Sequence, residues 1–245
     1  MVDTGEGDDA LARFVTELSE LKLVAAPGDR TSYSQAAYSL AGRIVEKVTG
    51  LTYEHAVASL VFKPLGLSHS FFAPEDVITR RFAVGHNRGE DGKLSIARLW
   101  KGARYRNPGA GIASSAANQL RWVRFHLGDG SAQGGICVLP SEVLQRMKQP
   151  TVALRGSNLG DAIGIGWFMR EVDGVPTVGH GGSANGQFAD LLIVPERDFG
   201  GDPCDDGQRA APGPRAVRVW PASRRGRRIH DHQGRLGGSA WFLHA

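Results

Sequence analysis

The sequence predicts an α+β fold, an antiparallel sheet flanked by helices, from two observations. Apolar residues recur at helical spacing, with caps and breakers at the expected ends, in stretches between residues 9 and 147, whereas residues 163–194 hold strand-like runs and a two-residue Asp-Gly turn. Helices and strands are thus grouped along the chain, the pattern of an α+β arrangement.

Residues 9–23 place Leu11, Phe14, Val15, Leu18 and Leu21 on one helical face, and Pro27-Gly28 ends the segment in a turn. A second helix is expected from about Ala36 to Val48, with Leu40, Ile44, Val45 and Val48 as its apolar stripe and Gly50 ending it. Thr52 caps a third, which turns Tyr53, Ala56, Val57 and Leu60 inward and stops before Pro64, because proline cannot continue a helix. Residues 74–112 combine a short helix at Pro74, a strand at Phe82–Val84 and a long excursion of the kind that serves as a lid or a site wall. Ser114 or Ser115 caps a helix to about Leu127, stopped by Gly128, and Ser141 caps another to about Met147. Ile163–Val172, Val175–Gly182 and Phe188–Val194 then read as three antiparallel strands, the first two joined by a tight hairpin at Asp173-Gly174.

The 245 residues carry a net charge of +4, which invites a nucleic-acid or membrane-surface partner until the charge is located. All of it lies in residues 200–245, where eight arginines face four aspartates; the first 199 residues are neutral. That tail is rich in glycine and proline, has no helical or strand period, and is expected to be disordered or frame-shifted, leaving 1–199 as the folded unit. Two cysteines, Cys137 and Cys204, cannot build a disulfide framework. The first residues lack the pattern of a signal peptide, and no run approaches the ~20 apolar residues of a membrane span, so a cytoplasmic chain without membrane partners is expected as written.

Several chemistries are set aside on motif grounds. GEGDDA near the start has glycine-loop spacing, but no strand precedes it and its acids would repel a phosphate. There is no G-x-S-x-G elbow, H-E-x-x-H, paired C-x-x-C or Walker loop, and the eight histidines are scattered, so neither a metal nor a cofactor is expected.

Three pieces in order are informative: Tyr33-Ser34-Gln35 soon after Pro27-Gly28, PLGL at Pro64–Leu67, and His180-Gly181-Gly182 within a strand. With their flanks, PGDRTSYSQAAYSLAGRIVEKVTG and VGHGGSANGQFADLLIVPERDF, they resemble the serine beta-lactamase-related hydrolases: class C beta-lactamases, D-Ala-D-Ala carboxypeptidases and related esterases, with signatures Ser-x-x-Lys, Tyr-x-Asn, and Lys-Thr-Gly or His-x-Gly. The resemblance covers about residues 3–199 and implies the beta-lactamase/transpeptidase-like fold. It also implies a small acyl substrate, whether beta-lactam, peptide or ester, attacked by a serine to form an acyl-enzyme.

In that family the tyrosine shuttles protons, its pKa of ~10 lowered by neighbouring cations; Tyr33 takes that place by resemblance. Gln35 stands where asparagine is usual and offers the same donor and acceptor one methylene farther out. His180, Gly181 and Gly182 match the His-x-Gly box on the substrate strand, and the backbone N–H of Ser183 falls where an oxyanion donor is expected. A glycine pair in a strand is also what a β-bulge uses.

Two departures qualify the resemblance. The Ser-x-x-Lys nucleophile should lie many tens of residues before the tyrosine, yet Ser19-Glu20-Leu21-Lys22 lies too close to Tyr33, on an ordinary acidic amphipathic helix, and is not assigned. After VPERDF the family's apolar strand and C-terminal helix give way to the arginine-rich tail. The expectation is therefore an incomplete, N-terminally truncated member that lacks its nucleophile and does not catalyse. Two other readings stay open: a noncatalytic ligand-binding remnant, and a nucleic-acid binder acting through the arginines of the tail.

Overall fold

A computed structural model describes residues 4–100, 102–201 and 204–205. The expectations for the tail beyond Asp205 lie outside the described residues.

The helices are α1 (Ala10–Glu17), α2 (Gln35–Thr49), α3 (Tyr53–Val57), α4 (Pro74–Ile78), α5 (Asn107–Ala110), α6 (Ala116–Leu127) and α7 (Ser141–Met147). The strands are β1 (Ser70–Phe71), β2 (His86–Arg88), β3 (Leu94–Ile96), β4 (Ala113–Ser114), β5 (Val152–Ala153), β6 (Ala162–Ile163), β7 (Phe168–Val172), β8 (Val175–Ala184), β9 (Gln187–Val194), β10 (Phe199–Gly201) and β11 (Cys204–Asp205). Strands β5 to β10 form one antiparallel sheet in sequence order. β11 pairs with β9 in the register that β10 began. β1–β4 and β2–β3 are separate two-stranded pairs.

The caps explain the helix starts. The Ser34 hydroxyl accepts the Ala37 N–H at 3.2 Å, Thr52 does the same for His55, and Ser115 for Asn118. Gly50 ends α2 in the left-handed region at φ 70°, which glycine enters without steric cost. Helix α3 runs on as a π-helical turn, Ala58–Phe62, before Pro64.

Two apolar clusters hold the parts together. Val123 of α6 packs with Trp167 and with Met169, Val178, Leu191 and Ile193 of the sheet, and a second cluster joins Val57, Phe62, Leu67 and Phe72. Arg104 ties the start of the chain to α3, donating to both Glu54 carboxylate oxygens at 3.2 Å, to Asp8 at 2.8 Å and to the Glu6 carbonyl at 2.9 Å. Burial would raise the Glu54 carboxyl, but hydrogen bonds from Arg104 and Asn107 outweigh it and hold the group below its ordinary pKa.

The structure differs from the sequence expectations in several places. Leu60, expected to turn inward, is exposed; Leu21 is exposed and lies beyond the first helix; and Ser141 is the first residue of α7, with Pro140 ahead of it and no side-chain cap. The strand expected at Phe82–Val84 falls instead at His86–Arg88, paired with Leu94–Ile96. Ile163–Val172 is not one strand: it turns through Gly166, at φ 76°, between β6 and β7. Backbone pairing does not stop at Phe199, because Gly200, Gly201, Cys204 and Asp205 all pair with β9, where the last strand was expected to be missing. Finally, the apolar stripe of α2 does not face inward: Leu40, Ile44 and Val48 are exposed, while Ser39, Gly42 and Glu46 are buried. Among the described residues no helix is long and apolar enough to cross a membrane.

Candidate active site

The fold brings Tyr33 and His180, 147 residues apart, into contact. The Tyr33 hydroxyl lies 3.5 Å from His180 Nε2, and the two rings share a cluster with Phe168, which stacks on Tyr33 at 5.9 Å between centroids and tilts against His180 at 4.8 Å. The second ring nitrogen fixes the tautomer. His180 Nδ1 is 2.7 Å from the Gly181 carbonyl, which can only accept, so Nδ1 carries the proton and Nε2 is the acceptor facing Tyr33. Burial favours this neutral ring: His180 is 5% exposed and its pKa is lowered by desolvation, against the opposing pull of the Gly181 hydrogen bond.

Tyr33 departs from what the resemblance implies. Burial, and then the neighbouring Tyr38, push its phenol up to about 12, the opposite direction from the shift a flanking cation would give. At neutral pH a phenol with that pKa is ionised in about one molecule in 10⁵. It therefore acts as a donor, toward Nε2 of His180.

The register of β8 sets what its backbone presents. Two-residue turns flank it on both sides, Asp173-Gly174 and Asn185-Gly186, all four residues at positive φ as a type I′ hairpin requires. The residues that close such a turn exchange both backbone hydrogen bonds, and these pairs alternate along the ladder. Counting from Val172–Val175, the odd-numbered residues of β8 point their N–H and C=O toward β7; counting from Ala184–Gln187, the even-numbered ones point toward β9. The two counts agree. β7 begins at Phe168, opposite Gly179, so from His180 onward no strand among the described residues lies beside this edge. The N–H groups of Gly181 and Ser183 consequently face an open edge, with the Gly181 carbonyl engaged by His180. Pairing from Val178 to Ala184 is continuous, so Gly181-Gly182 is regular strand and not a bulge.

Gln35 is held differently. Its Nε2 donates to the Arg106 carbonyl at 3.1 Å, and its amide lies over Gly109, where a Cβ would come within 2.8 Å of Oε1. Oε1 is buried and has no hydrogen-bond partner among the described residues. Gln35 thus packs toward the Arg104–Ala110 segment, and no direct bond joins it to Tyr33 or His180. Ser19 sits in a single 3₁₀ turn, Leu18–Glu20, and its exposed hydroxyl donates to the Thr16 carbonyl at 2.7 Å.

Two features of the region escaped sequence reading. Phe168, the third ring of the cluster, looked like an ordinary strand residue. Asn185-Gly186, a dipeptide of the hairpin type, joins β8 to β9. The segment around β2 docks on that hairpin: the His86 N–H donates to the Gly186 carbonyl at 3.1 Å, and Gln187 Nε2 donates to the Ala83 carbonyl at 2.9 Å. Gly85 lies so close to Asn185 that a Cβ would collide with its backbone.

Residues 2–201 match the beta-lactamase family model. The chain belongs to the beta-lactamase family. It is 36% identical over 198 residues to penicillin-binding protein 4 of Amycolatopsis lactamdurans, a match covering 79% of this chain and 52% of that protein. It is 23% identical to the D-alanyl-D-alanine-carboxypeptidase/endopeptidase AmpH of Escherichia coli K12, over 75% and 47% of the two chains. The octameric penicillin-binding protein homologue from Pyrococcus abyssi superposes with a TM-score of 0.69 at 22% identity, over 83% of this chain and 44% of that one, and so shares its fold. The chain spans about half the length of the curated relatives it matches.

Proposed function

We propose that this chain supplies the substrate-strand half of a serine acyl-transfer site, acting on a small acyl substrate such as a beta-lactam, a D-Ala-D-Ala peptide or an ester. The observation that carries the reading is the contact of Tyr33 with His180 at the open edge of β8, where Gly181 and Ser183 present N–H groups. An acyl group lying along that edge would find donors for its carbonyl oxygen, with glycine leaving room for close approach. The Tyr33 phenol and His180 Nε2 would pass a proton between substrate and protein. Gln35 supports the start of α2 through Arg106 and Gly109.

The same reading makes the chain by itself a binding surface and not a catalyst. Covalent catalysis needs a nucleophile beside a base, whereas Ser19 donates to its own helix and Tyr33 is held protonated. The purified chain should therefore take no covalent label from a fluorescent penicillin, and should turn over neither a chromogenic cephalosporin nor a p-nitrophenyl ester. A labelled serine identified by peptide mapping would overturn the noncatalytic reading; absence of any saturable binding of these ligands would overturn the substrate strand.

A further inference from the structure

The excursion between Thr79 and Trp100 is a two-stranded ribbon with two unlike faces. β2 pairs with β3 so that His86 lies opposite Ile96 and Arg88 opposite Leu94. The same register runs on toward the base of the ribbon: the Ala97 N–H donates to the Gly85 carbonyl at 2.8 Å, and Phe82 meets Trp100 edge-on at 5.2 Å. Side chains alternate between faces along a strand, so Phe82, His86, Arg88, Leu94, Ile96 and Trp100 share one face, with Arg98 among them. Gly85 belongs to the other face and lies against the Asn185 backbone, where a Cβ would collide. The ribbon thus docks on the β8–β9 hairpin by its small-residue side and turns its large side chains outward. Phe82 is 44% exposed, Leu94 39% and Ile96 60%, and Arg88 and Arg98 are exposed beside them.

This outward face mixes aliphatic and aromatic groups with positive charge. Between Thr79 and Trp100 five basic side chains face two acids. One of the two, Asp91, is taken by Lys93 at 3.3 Å; Arg88 donates to the Gly92 carbonyl, a neutral partner, and no ion pair among the described residues reaches Arg88 or Arg98. The arginines distinguish the face from an interior seam, since burying each would need an acid to pair it. We infer that it is a peripheral docking surface for a bilayer that carries anionic lipids. Anionic headgroups supply the charge that Arg88 and Arg98 lack, while Leu94, Ile96 and the Phe82–Trp100 pair enter the acyl boundary, where aromatic rings also settle. A nucleic acid would use the arginines but gain nothing from the two aliphatic side chains, which offer bases no ring to stack on. Docking of this kind needs no membrane-spanning helix. The His86 N–H is bonded to Gly186, in the turn that follows β8, so a bilayer held by the ribbon would lie beside the candidate site whatever chemistry that site performs.

The test measures binding of the full chain to vesicles of phosphatidylglycerol and phosphatidylcholine in equal parts, with phosphatidylcholine alone as the neutral control. The arginines of residues 200–245 also attract anionic lipid, so the readout is the difference that ribbon substitutions make. The chain should bind the mixed vesicles and not the neutral ones. Arg88→Ala with Arg98→Ala, and separately Leu94→Ser with Ile96→Ser, should each weaken binding about tenfold or more, while Lys47→Ala, an exposed cation on α2, changes it less than about twofold. A second readout needs no surface variant: doxyl-labelled lipid in the mixed vesicles should quench the tryptophan emission of the chain, and Trp100→Phe should remove part of that quenching. Failure to bind the mixed vesicles, binding insensitive to both paired substitutions, or quenching unchanged in Trp100→Phe would overturn the inference, the second being the mark of the tail arginines acting alone. So would ribbon-dependent binding of a single-stranded oligonucleotide or of an acidic peptide without binding to vesicles, which would make that molecule the occupant.

Discussion

His126 should make the fold acid-labile. It lies near the end of α6, is fully buried, and is boxed by rings: Trp122 at 4.4 Å and Trp167 at 4.9 Å, both edge-on, and Phe125 at 5.4 Å. Neither ring nitrogen has a hydrogen-bond partner among the described residues. Burial, and then Lys148, whose ammonium donates to the His126 carbonyl, lower its pKa from 6.5 to about 3. Because the folded value lies below the unfolded one, the neutral ring favours the fold above pH 6.5, and that advantage is lost as the pH falls toward 3, where unfolding releases a ring that can take a proton. One pH unit in this window is worth ~1.4 kcal/mol, so about 2 kcal/mol should be gone by pH 5 and about 3 by pH 4. Other acids also titrate there, so the measurement is a difference: urea unfolding from pH 7.5 to 4 of the chain and of His126→Phe, which keeps the ring volume and removes the titrating nitrogens. The stability gap between the two should change by about 2 kcal/mol between pH 7.5 and pH 5. Parallel pH curves, or a His126 ring resonance titrating near 6.5, would refute the reasoning.

Three further outcomes follow from the geometry. Amide exchange along β8 should alternate beyond Gly179, with His180, Gly182 and Ala184 protected by β9 and Gly181 and Ser183 exchanging fast; protection at Ser183 would mean that the edge is not open. Gly42→Ala should destabilise the chain by about 1–3 kcal/mol, read from the urea midpoint, because a Cβ there collides with the Pro108 ring and comes within 3.2 Å of Leu11; an unchanged midpoint would show that α1 and α5 yield freely. Subtracting the ultraviolet pH titration of Tyr33→Phe from that of the parent chain should place the Tyr33 phenol near 12, and a midpoint at or below 10 would mean that a cation reaches it in the chain alone.

Local chemistry made much of this fold legible. Thr52 and Ser115 begin helices because a hydroxyl one residue ahead of a helix has an orphan N–H to accept, and Asp173-Gly174 closes a hairpin because its left-handed backbone matches strand twist. Tyr33 and His180 were legible as a pair only through resemblance, since no periodicity links residues 147 apart; their contact is a product of tertiary packing. Gln35 has an amide like that of asparagine, and its neighbours, the Arg106 carbonyl and Gly109, are set by packing that the tripeptide alone does not announce. The β2 strand was misplaced because Phe82–Val84 has strand-forming residues, whereas what orders the segment is a backbone contact between Gly85 and Asn185 that only the folded hairpin creates.

Amphipathic pattern reports which face of a helix is to be covered, not what covers it. For α2 the sequence stripe of Leu40, Ile44 and Val48 is real, and within this chain the helix is nevertheless docked by its other side, through Ser39, Gly42 and Glu46. The docked side is specified by close approach and polar contacts: Ser39 donates to the Tyr105 carbonyl, Gly42 lies against the Pro108 ring, and Glu46 accepts the Tyr53 N–H. The state of Tyr33 is likewise set by what surrounds it and not by its sequence motif: burial, and then the neighbouring Tyr38, push the phenol up to about 12, so at neutral pH it keeps its proton and is a hydrogen-bond donor.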